Sequence, residues 1–244
     1  MPVARAVRHL SIGLAVAGIA ACNRGPTAPS PRSWACNPSM TTATAAVEMF
    51  RAPFDGFFPV GNFFDHDKPV DPDSDARFVT LCGVSVKGQV NGHPGYDYDM
   101  PEGTVLRAVA VGRILFAGLE QPRFCPQLNK TVQALNVQIA STGPDGRTYV
   151  SVYGHLSRID VVTGQPIGDG EAIGLSGNTG CSGTPHLHFG VYLQVGADPY
   201  ATDSYVVLDP YGWHGAGEDP WEKDTRGAKS AWMWRPGAAP PLTR

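Results

Sequence analysis

The run His186–Leu193, which reads HLHFGVYL, limits the possible folds most strongly, because its residues alternate strictly between two kinds. Side chains of a β-strand point alternately to the two faces of a sheet. One face of a strand here is wholly apolar and carries Leu187, Phe189, Val191 and Leu193. The other face carries His186, His188, Gly190 and Tyr192. We therefore predict a half-buried strand with its apolar face on a core and its histidine face in a groove.

Two neighbouring imidazoles on one strand face suit a metal ion, which takes nitrogen ligands in a fixed geometry. A polar strand face that holds two histidines without a metal fits the same short pattern. His186 and His188 alone do not choose between these interpretations, so further ligands have to be sought elsewhere in the chain.

The remaining sequence favours a mainly β protein. Its 244 residues include 29 glycines and 22 prolines but only 17% charged residues, which is typical of a turn-rich β fold. Two strand-like runs, 134–140 and 147–156, flank the turn-forming stretch STGPDG and predict a hairpin. Only residues 41–50 predict a short helix. We expect a twisted antiparallel sheet with a groove on one face and long surrounding loops.

The N-terminus has the pattern of an export signal. A basic start with Arg5 and Arg8 precedes a short apolar run that ends in Ile-Ala-Ala-Cys22. This ending resembles a bacterial lipobox, so we interpret residues 1–21 as a lipoprotein-type signal peptide and Cys22 as the lipidated residue. An ordinary signal peptide followed by a chance cysteine is the alternative. Either way the protein is expected to be exported, and the lipobox predicts a lipid-anchored protein of the bacterial cell envelope or periplasm.

Changes in composition divide the rest of the chain. Residues 22–45 are a Pro/Ser-rich tether, and residues 46–87 are expected to be an irregular segment that packs its aromatic side chains on the domain. The strand-rich domain covers residues 88–210. Residues 211–244 form a Trp-rich C-terminal tail. The net charge of −3 gives no indication of a nucleic-acid partner.

Four cysteines remain after Cys22, and an exported chain with an even number of cysteines is expected to form disulfides. Four cysteines allow three pairings, and spacing alone does not select one. We expect the pairs Cys36–Cys82 and Cys125–Cys181.

Further metal-ligand candidates lie upstream, in the stretch NGHPGYDYD. His93 and Asp97 are four residues apart and face the same way on an extended chain, with Gly95 leaving room for a bound group. Asp99 shares that face, so the pattern does not choose between Asp97 and Asp99. A set of two histidines and one aspartate with a fourth position open is typical of catalytic zinc.

One more histidine lies in the strand-like run 147–156, which contains SVYGHL. By alternation His155 shares a face with Tyr153, and Val152 and Leu156 point to the core.

Three segments together resemble the LytM/lysostaphin-type zinc metallopeptidases of peptidase family M23. In order, they read GHPGYDYDMPEGT, YGHL and GQPIGDGEAIGLSGNTGCSGTPHLHFGV. The resemblance covers roughly residues 88–195. Cys-Ser-Gly-Thr-Pro-His stands where relatives usually have Ser-Thr-Gly-Pro-His, and neither residues 51–88 nor the tail has a clear counterpart.

The resemblance implies a LytM-like fold for residues 88–210 and a role for each motif residue. His93, Asp97 and His188 match the ligands of one zinc ion per chain, which selects Asp97 over Asp99. His155 and His186 match the two catalytic histidines.

The activity implied by the resemblance is hydrolysis of peptide bonds in the stems or cross-links of bacterial peptidoglycan by a metal-activated water. The expected partners are this peptide substrate and, through the N-terminal anchor only, a membrane. The alternative function is a non-catalytic module that binds the cell wall or regulates a peptidoglycan amidase.

Overall fold

The computed structural model describes residues 36, 38–39, 41–43, 45–69, 77–85, 89–199, 201–224 and 229–243. The predicted signal peptide, Cys22 and most of the predicted tether lie outside these residues. Within the described part of the chain, no helix has the length and apolar character needed to cross a membrane.

The described residues confirm the mainly β prediction, with strands and two short 3-10 helices, Thr202–Ser204 and Pro220–Asp224. The strands are β1 Ala46–Phe50, β2 Val60–Asn62, β3 Tyr96–Asp99, β4 Val105–Arg107, β5 Gly112–Leu119, β6 Arg123–Cys125, β7 Lys130–Val132, β8 Leu135–Thr142, β9 Thr148–Leu156, β10 Arg158–Ile159, β11 Pro166–Ile167, β12 Ala172–Leu175, β13 His186–Gln194, β14 Tyr205–Leu208 and β15 Trp232–Trp234.

The main sheet is antiparallel and has the strand order β11-β5-β8-β9-β13-β3-β2. Strand β13, which holds the alternating histidine run, lies inside this sheet. Along one edge it pairs with β9, and along the other it pairs first with β3 and then with β14. The predicted hairpin over 134–140 and 147–156 is present as β8 and β9.

The apolar face of β13 lies on the core, as its alternation predicts. All four of its apolar residues, Leu187, Phe189, Val191 and Leu193, are fully buried. The ring of Phe189 packs against Tyr153, with centroids 5.4 Å apart, and against Trp234, at 5.9 Å. Burial of side chains of this size contributes about 1.5–3 kcal/mol each.

The tail takes part in that core through a strand that the sequence did not predict. β15 pairs in parallel with β1, which occupies part of the stretch predicted to be helical. The helix prediction for 41–50 is therefore wrong. Local helix propensity there is overridden by pairing with a strand almost two hundred residues away and by burial of Phe50 against Trp234.

The described part of residues 46–87 packs tightly although most of it is irregular. Phe54, Phe63, Phe64 and Phe78 are all buried. The segment also supplies β2, which pairs with β3 at the end of the main sheet. The region without a counterpart in the family resemblance therefore lies directly beside a strand that carries a candidate metal ligand.

Both expected disulfides are formed, Cys36–Cys82 and Cys125–Cys181. The second joins the hairpin of β6 and β7 to the loop that leads into β13. It therefore links the start of the histidine strand covalently to a neighbouring loop.

His66 is the centre of a buried ionic cluster that connects residues 46–87 to the C-terminal region. Its Nε2 lies 2.8 Å from Asp209 Oδ2 and its Nδ1 lies 2.8 Å from Asp219 Oδ1, and all three side chains are inaccessible to solvent. The Tyr96 hydroxyl also donates to Asp209, at 2.7 Å. Burial alone would lower the pKa of His66, but the two carboxylates outweigh it and raise this pKa to about 9.

Candidate metal centre

The pairing register of β3 and β13 brings two of the predicted ligands together. Asp97 lies directly opposite His188 in this antiparallel pair. Directly paired residues point to the same face with their Cβ atoms about 4.5–5.5 Å apart. The meeting of a carboxylate with an imidazole ninety-one residues away is therefore a consequence of strand register.

Gly95 has a different role from the one predicted. A Cβ at this position would collide with the backbone carbonyl of Phe189 in β13 and come within 3.1 Å of Gly190 Cα. The missing side chain therefore makes room for the neighbouring strand and not for a bound group. His93 lies two residues before this close approach, and its Nε2 is 3.1 Å from His188 Nδ1 of β13.

Three ligand atoms converge in a buried triangle. His93 Nε2 lies 3.0 Å from Asp97 Oδ1, His188 Nδ1 lies 2.9 Å from the same oxygen, and the two nitrogens are 3.1 Å apart. A tetrahedral zinc ion with ligand bonds of about 2.0–2.1 Å separates its ligand atoms by about 3.3 Å. The triangle therefore has nearly the size of one face of a zinc coordination tetrahedron.

The protonation pattern also fits a cation at this point. The Nδ1–H of His93 donates to the carbonyl of Phe63, at 2.8 Å, so a neutral His93 presents a lone pair at Nε2. The facing Asp97 oxygen is an acceptor as well, and two acceptors at 3.0 Å repel each other unless a proton or metal ion lies between them. The donor set therefore suits zinc.

Burial works to lower the pKa of His93, but Asp97 outweighs it and raises this pKa, so a metal ion has to displace a proton from His93 when it binds. Burial works to raise the pKa of Asp97, but the neighbouring His93 and His186 outweigh it and hold this pKa well below its usual range. Burial lowers the pKa of His188, despite its hydrogen bond to Asp97. An ionised carboxylate beside a neutral imidazole is the state that binds a metal ion.

Residues that the sequence did not indicate hold the ligands in place. Asn62 Nδ2 donates to Asp97 Oδ2, at 2.8 Å, which leaves Oδ1 facing the triangle. Asn62 and the carbonyl of Phe63 both belong to residues 46–87, and no local pattern links them to ligands about thirty residues later. Such outer partners orient metal ligands and raise their basicity.

Asp99, the alternative ligand, is exposed and is not part of the convergent group, which consists of His93, Asp97 and His188.

The strand face assigned to Tyr153 and Val152 is wrong. Tyr153 is opposite Phe189 and shares its core face, whereas Val152 is opposite Gly190 on the histidine face. Simple alternation would then bury His155 in the core with Tyr153. The chain avoids this with a β-bulge between β8 and β9, at which His155 adopts a left-handed backbone with φ of 67°. Bulges re-aim side chains in this way next to functional sites.

The bulge brings His155 to the histidine face, where its ring centroid lies 4.7 Å from that of His186. The two rings are oriented alike by backbone carbonyls. His155 Nδ1–H donates to Thr179 O at 2.7 Å, and His186 Nδ1–H donates to Thr184 O at 2.8 Å. In this tautomer the lone pair of each ring is at Nε2, and Nε2 of His186 lies 3.7 Å from Asp97 Oδ1. Burial and the neighbouring imidazoles lower the pKa of His155 to about 3, so this ring stays neutral at physiological pH.

Gly177 allows the loop before β13 to approach the bulge. A Cβ there would collide with the backbone nitrogen of Ser157 and would lie 2.8 Å from the carbonyl oxygen of His155. The glycine therefore lets the loop that carries Thr179 pack directly against the His155 backbone.

Comparison with known families agrees with this geometry. Residues 91–199 match the model of peptidase family M23, and this range includes the predicted ligands and catalytic histidines His93, Asp97, His155, His186 and His188. The chain carries a domain of peptidase family M23. The prediction of an M23-type domain from the three motifs is thereby confirmed.

Curated relatives align with about half of the chain. The chain is 34% identical over 114 residues to an uncharacterized metalloprotease of Haemophilus influenzae, covering 45% of this chain and 20% of that protein. It is 32% identical over 130 residues to lysostaphin of Staphylococcus simulans, covering 52% and 24%. It is 36% identical over 109 residues to the peptidoglycan DD-endopeptidase ShyA of Vibrio cholerae, covering 45% and 22%. The chain thus spans about a fifth to a quarter of these relatives.

Solved structures with similarity to the M23 domain include lysostaphin from Staphylococcus simulans, with a TM-score of 0.43 and 23% identity over 66% of this chain and 52% of that one. A zinc-containing peptidase from Vibrio cholerae has a TM-score of 0.40 and 24% identity over 66% and 39%.

Proposed function

We propose that the protein is a zinc-dependent endopeptidase that cleaves peptide bonds in the stems or cross-links of bacterial peptidoglycan. The observation that carries this proposal is the buried triangle of His93 Nε2, Asp97 Oδ1 and His188 Nδ1. We assign one zinc ion per chain to these three atoms. Three protein ligands leave a fourth coordination position for solvent or substrate, as in catalytic zinc sites.

When bound, zinc lowers the pKa of a coordinated water to about 7 and polarises a carbonyl oxygen. The protein residues then have to orient the attacking water, accept its proton and stabilise the developing negative charge. The Nε2 atoms of His155 and His186 are suited to these tasks, because the carbonyls of Thr179 and Thr184 hold both rings in the required tautomer.

The variants His155→Ala and His186→Ala are expected to retain about one zinc per chain and to lose turnover by about a hundredfold or more. The reason is that each removes a proton-transfer or hydrogen-bonding group and leaves the triangle intact. Metal analysis and release of soluble fragments from purified peptidoglycan measure the two effects separately. His214→Ala, a part-buried histidine outside the centre, is the matched control and should retain both. Loss of zinc from His186→Ala would contradict the ligand assignment.

The proposed substrate rests on the names of the aligned relatives, which include a peptidoglycan DD-endopeptidase and a glycyl-glycine endopeptidase. Digestion of purified peptidoglycan followed by mass spectrometry of the products would test it and identify the bond. A chelated sample is the control, and added zinc should restore cleavage. A zinc-loaded protein that binds peptidoglycan but releases no fragments would instead support the alternative function, a wall-binding or amidase-regulating module.

We also propose that the protein is exported to the cell envelope and anchored through Cys22, which lies outside the described residues. Mass spectrometry of the mature N-terminus should find a diacylglyceryl cysteine at this position. The variant Cys22→Ser should then move the protein from the membrane fraction to the soluble fraction. A mature protein that begins at another residue would contradict the lipid anchor.

A further inference from the structure

The bulge at His155 interrupts the backbone pairing of β8 and β9, so the His155 N–H requires another hydrogen-bond acceptor. Leu156 is paired with Leu135 and Tyr153 with Val137, so β9 contains one residue more than β8 between these pairs. The His155 N–H donates to the side-chain oxygen of Asn136, at 3.3 Å. The side chain of Asn136 therefore supplies a hydrogen-bond acceptor where the backbone pairing of β8 and β9 is interrupted. The residue that it accepts from, His155, is the one with the left-handed backbone.

The orientation of the Asn136 amide is in turn determined by Glu120. Asn136 Nδ2 donates to Glu120 Oε1, and both side chains are buried, with residue exposures of 3% and 7%. A carboxylate oxygen accepts hydrogen bonds, so it selects the NH₂ end of the amide. The opposite end of the amide, its carbonyl oxygen, is thereby directed at the His155 N–H. Without Glu120 the amide orientation would depend on the 3.3 Å hydrogen bond from the His155 N–H.

The burial of Glu120 has an energetic cost that a merely space-filling residue would avoid. Burial raises the pKa of Glu120 to about 7, although the charge of Arg123 opposes the shift. Glutamine or an apolar residue would fill the same position with a smaller desolvation cost. A carboxyl group at this buried position, in contact with a side chain that bonds to the His155 backbone, is consistent with a role in the site.

We propose that Glu120, acting through Asn136, is a positioning residue that holds the bulged backbone of His155 and so aims its imidazole at the metal centre. This inference rests on the proposed function. Thr179 secures the same residue from the other side, because its carbonyl accepts from the ring. Thr179 also contacts the backbone of His155, because its N–H donates to the His155 carbonyl at 3.4 Å. The contact that depends on Glu120 is the one between Asn136 and the His155 N–H.

The test compares Glu120→Ala with Glu120→Gln. Glutamine can still present a side-chain oxygen to the Asn136 amide, whereas alanine cannot. Glu120→Ala is expected to lower turnover on purified peptidoglycan about tenfold with zinc content unchanged, and Glu120→Gln to stay within about twofold of the native rate. Asn136→Ala should resemble Glu120→Ala. The matched control is Glu48→Ala, an exposed glutamate in β1, which should have no effect.

A second readout does not depend on activity. The ring resonances of His155, followed by NMR in the zinc-loaded protein, should shift in Glu120→Ala and Asn136→Ala but stay at native positions in Glu120→Gln. If the native protein does not cleave peptidoglycan but the His155 resonances shift in Glu120→Ala and Asn136→Ala, the proposed function fails and the positioning role stands. If Glu120→Ala leaves the His155 resonances and turnover at native values, the positioning role is overturned. Loss of zinc or of the thermal unfolding transition in Glu120→Gln, which keeps the hydrogen bond, would also overturn it in favour of a purely structural role.

Discussion

The variant Asp97→Ala is expected to contain no zinc and to hydrolyse peptidoglycan at least about a thousandfold more slowly than the native chain. Asp97 Oδ1 is the atom shared by both short contacts of the triangle, at 3.0 Å to His93 and 2.9 Å to His188. Its removal leaves two imidazoles without the negative charge that balances a divalent cation. A bound metal contributes several kcal/mol of transition-state stabilisation, and about 4 kcal/mol corresponds to a thousandfold change in rate.

Asp99→Ala is the matched control for this experiment. Asp99 is two residues away on the same face of β3 but lies outside the convergent group. Metal analysis of both purified variants, with fragment release from peptidoglycan, tests the assignment. Full zinc occupancy in Asp97→Ala, or zinc loss from Asp99→Ala alone, would show that the wrong aspartate has been chosen.

The second large effect is on stability. His66→Ala is expected to lower the free energy of unfolding by about 3–5 kcal/mol, because it leaves the buried carboxylates of Asp209 and Asp219 without their cation. Denaturant unfolding of the zinc-loaded protein measures this loss. In the double variant His66→Gln with Asp219→Asn, one carboxylate charge is removed as well, so part of the stability should return relative to His66→Gln alone. An unchanged unfolding midpoint in His66→Ala would contradict the role of the cluster.

The same cluster should give the protein a characteristic dependence of stability on pH. The pKa of His66 is raised from 6.5 to about 9 in the folded protein, so the folded state binds this proton more tightly than the unfolded state. The stabilisation is therefore fully present below pH 6.5 and is lost as pH rises to about 9. A shift of this size corresponds to about 3 kcal/mol. His66→Gln lacks this proton, so the difference in stability between it and the native protein should shrink over that range.

The His66 cluster lies next to the segment that orients two of the metal ligands. His66 follows closely after Asn62 and Phe63, the two residues that orient the ligands Asp97 and His93. The cluster fixes this segment to the C-terminal region through buried contacts of 2.8 Å. Residues 46–87 and the C-terminal region are therefore part of the structure that supports the metal site.

Much of the candidate site could be predicted from the sequence because its pattern is local. Alternation over His186–Leu193 fixed which side chains face the core, and the structure buries those four apolar residues completely. The motifs that carry His93, Asp97 and His188 predict these residues as ligands through their family resemblance, and the three ligand atoms lie within 3.1 Å of one another. The structural roles of Gly95 and of the 41–50 stretch were predicted wrongly, because both depend on strands distant in the chain.

The sequence by itself determined the β class and the strand face that carries His186 and His188, because side-chain direction along a strand repeats every two residues. The choice of Asp97 and His188 as ligands came from the family resemblance of the motifs and not from this periodicity. Only the tertiary structure decided how His155 reaches the site, because a single left-handed residue in a bulge reverses what alternation implies. It alone also revealed Asn62, Glu120 and the partners of His66, since buried polar groups are matched through space and their partners lie from 16 to 153 residues away.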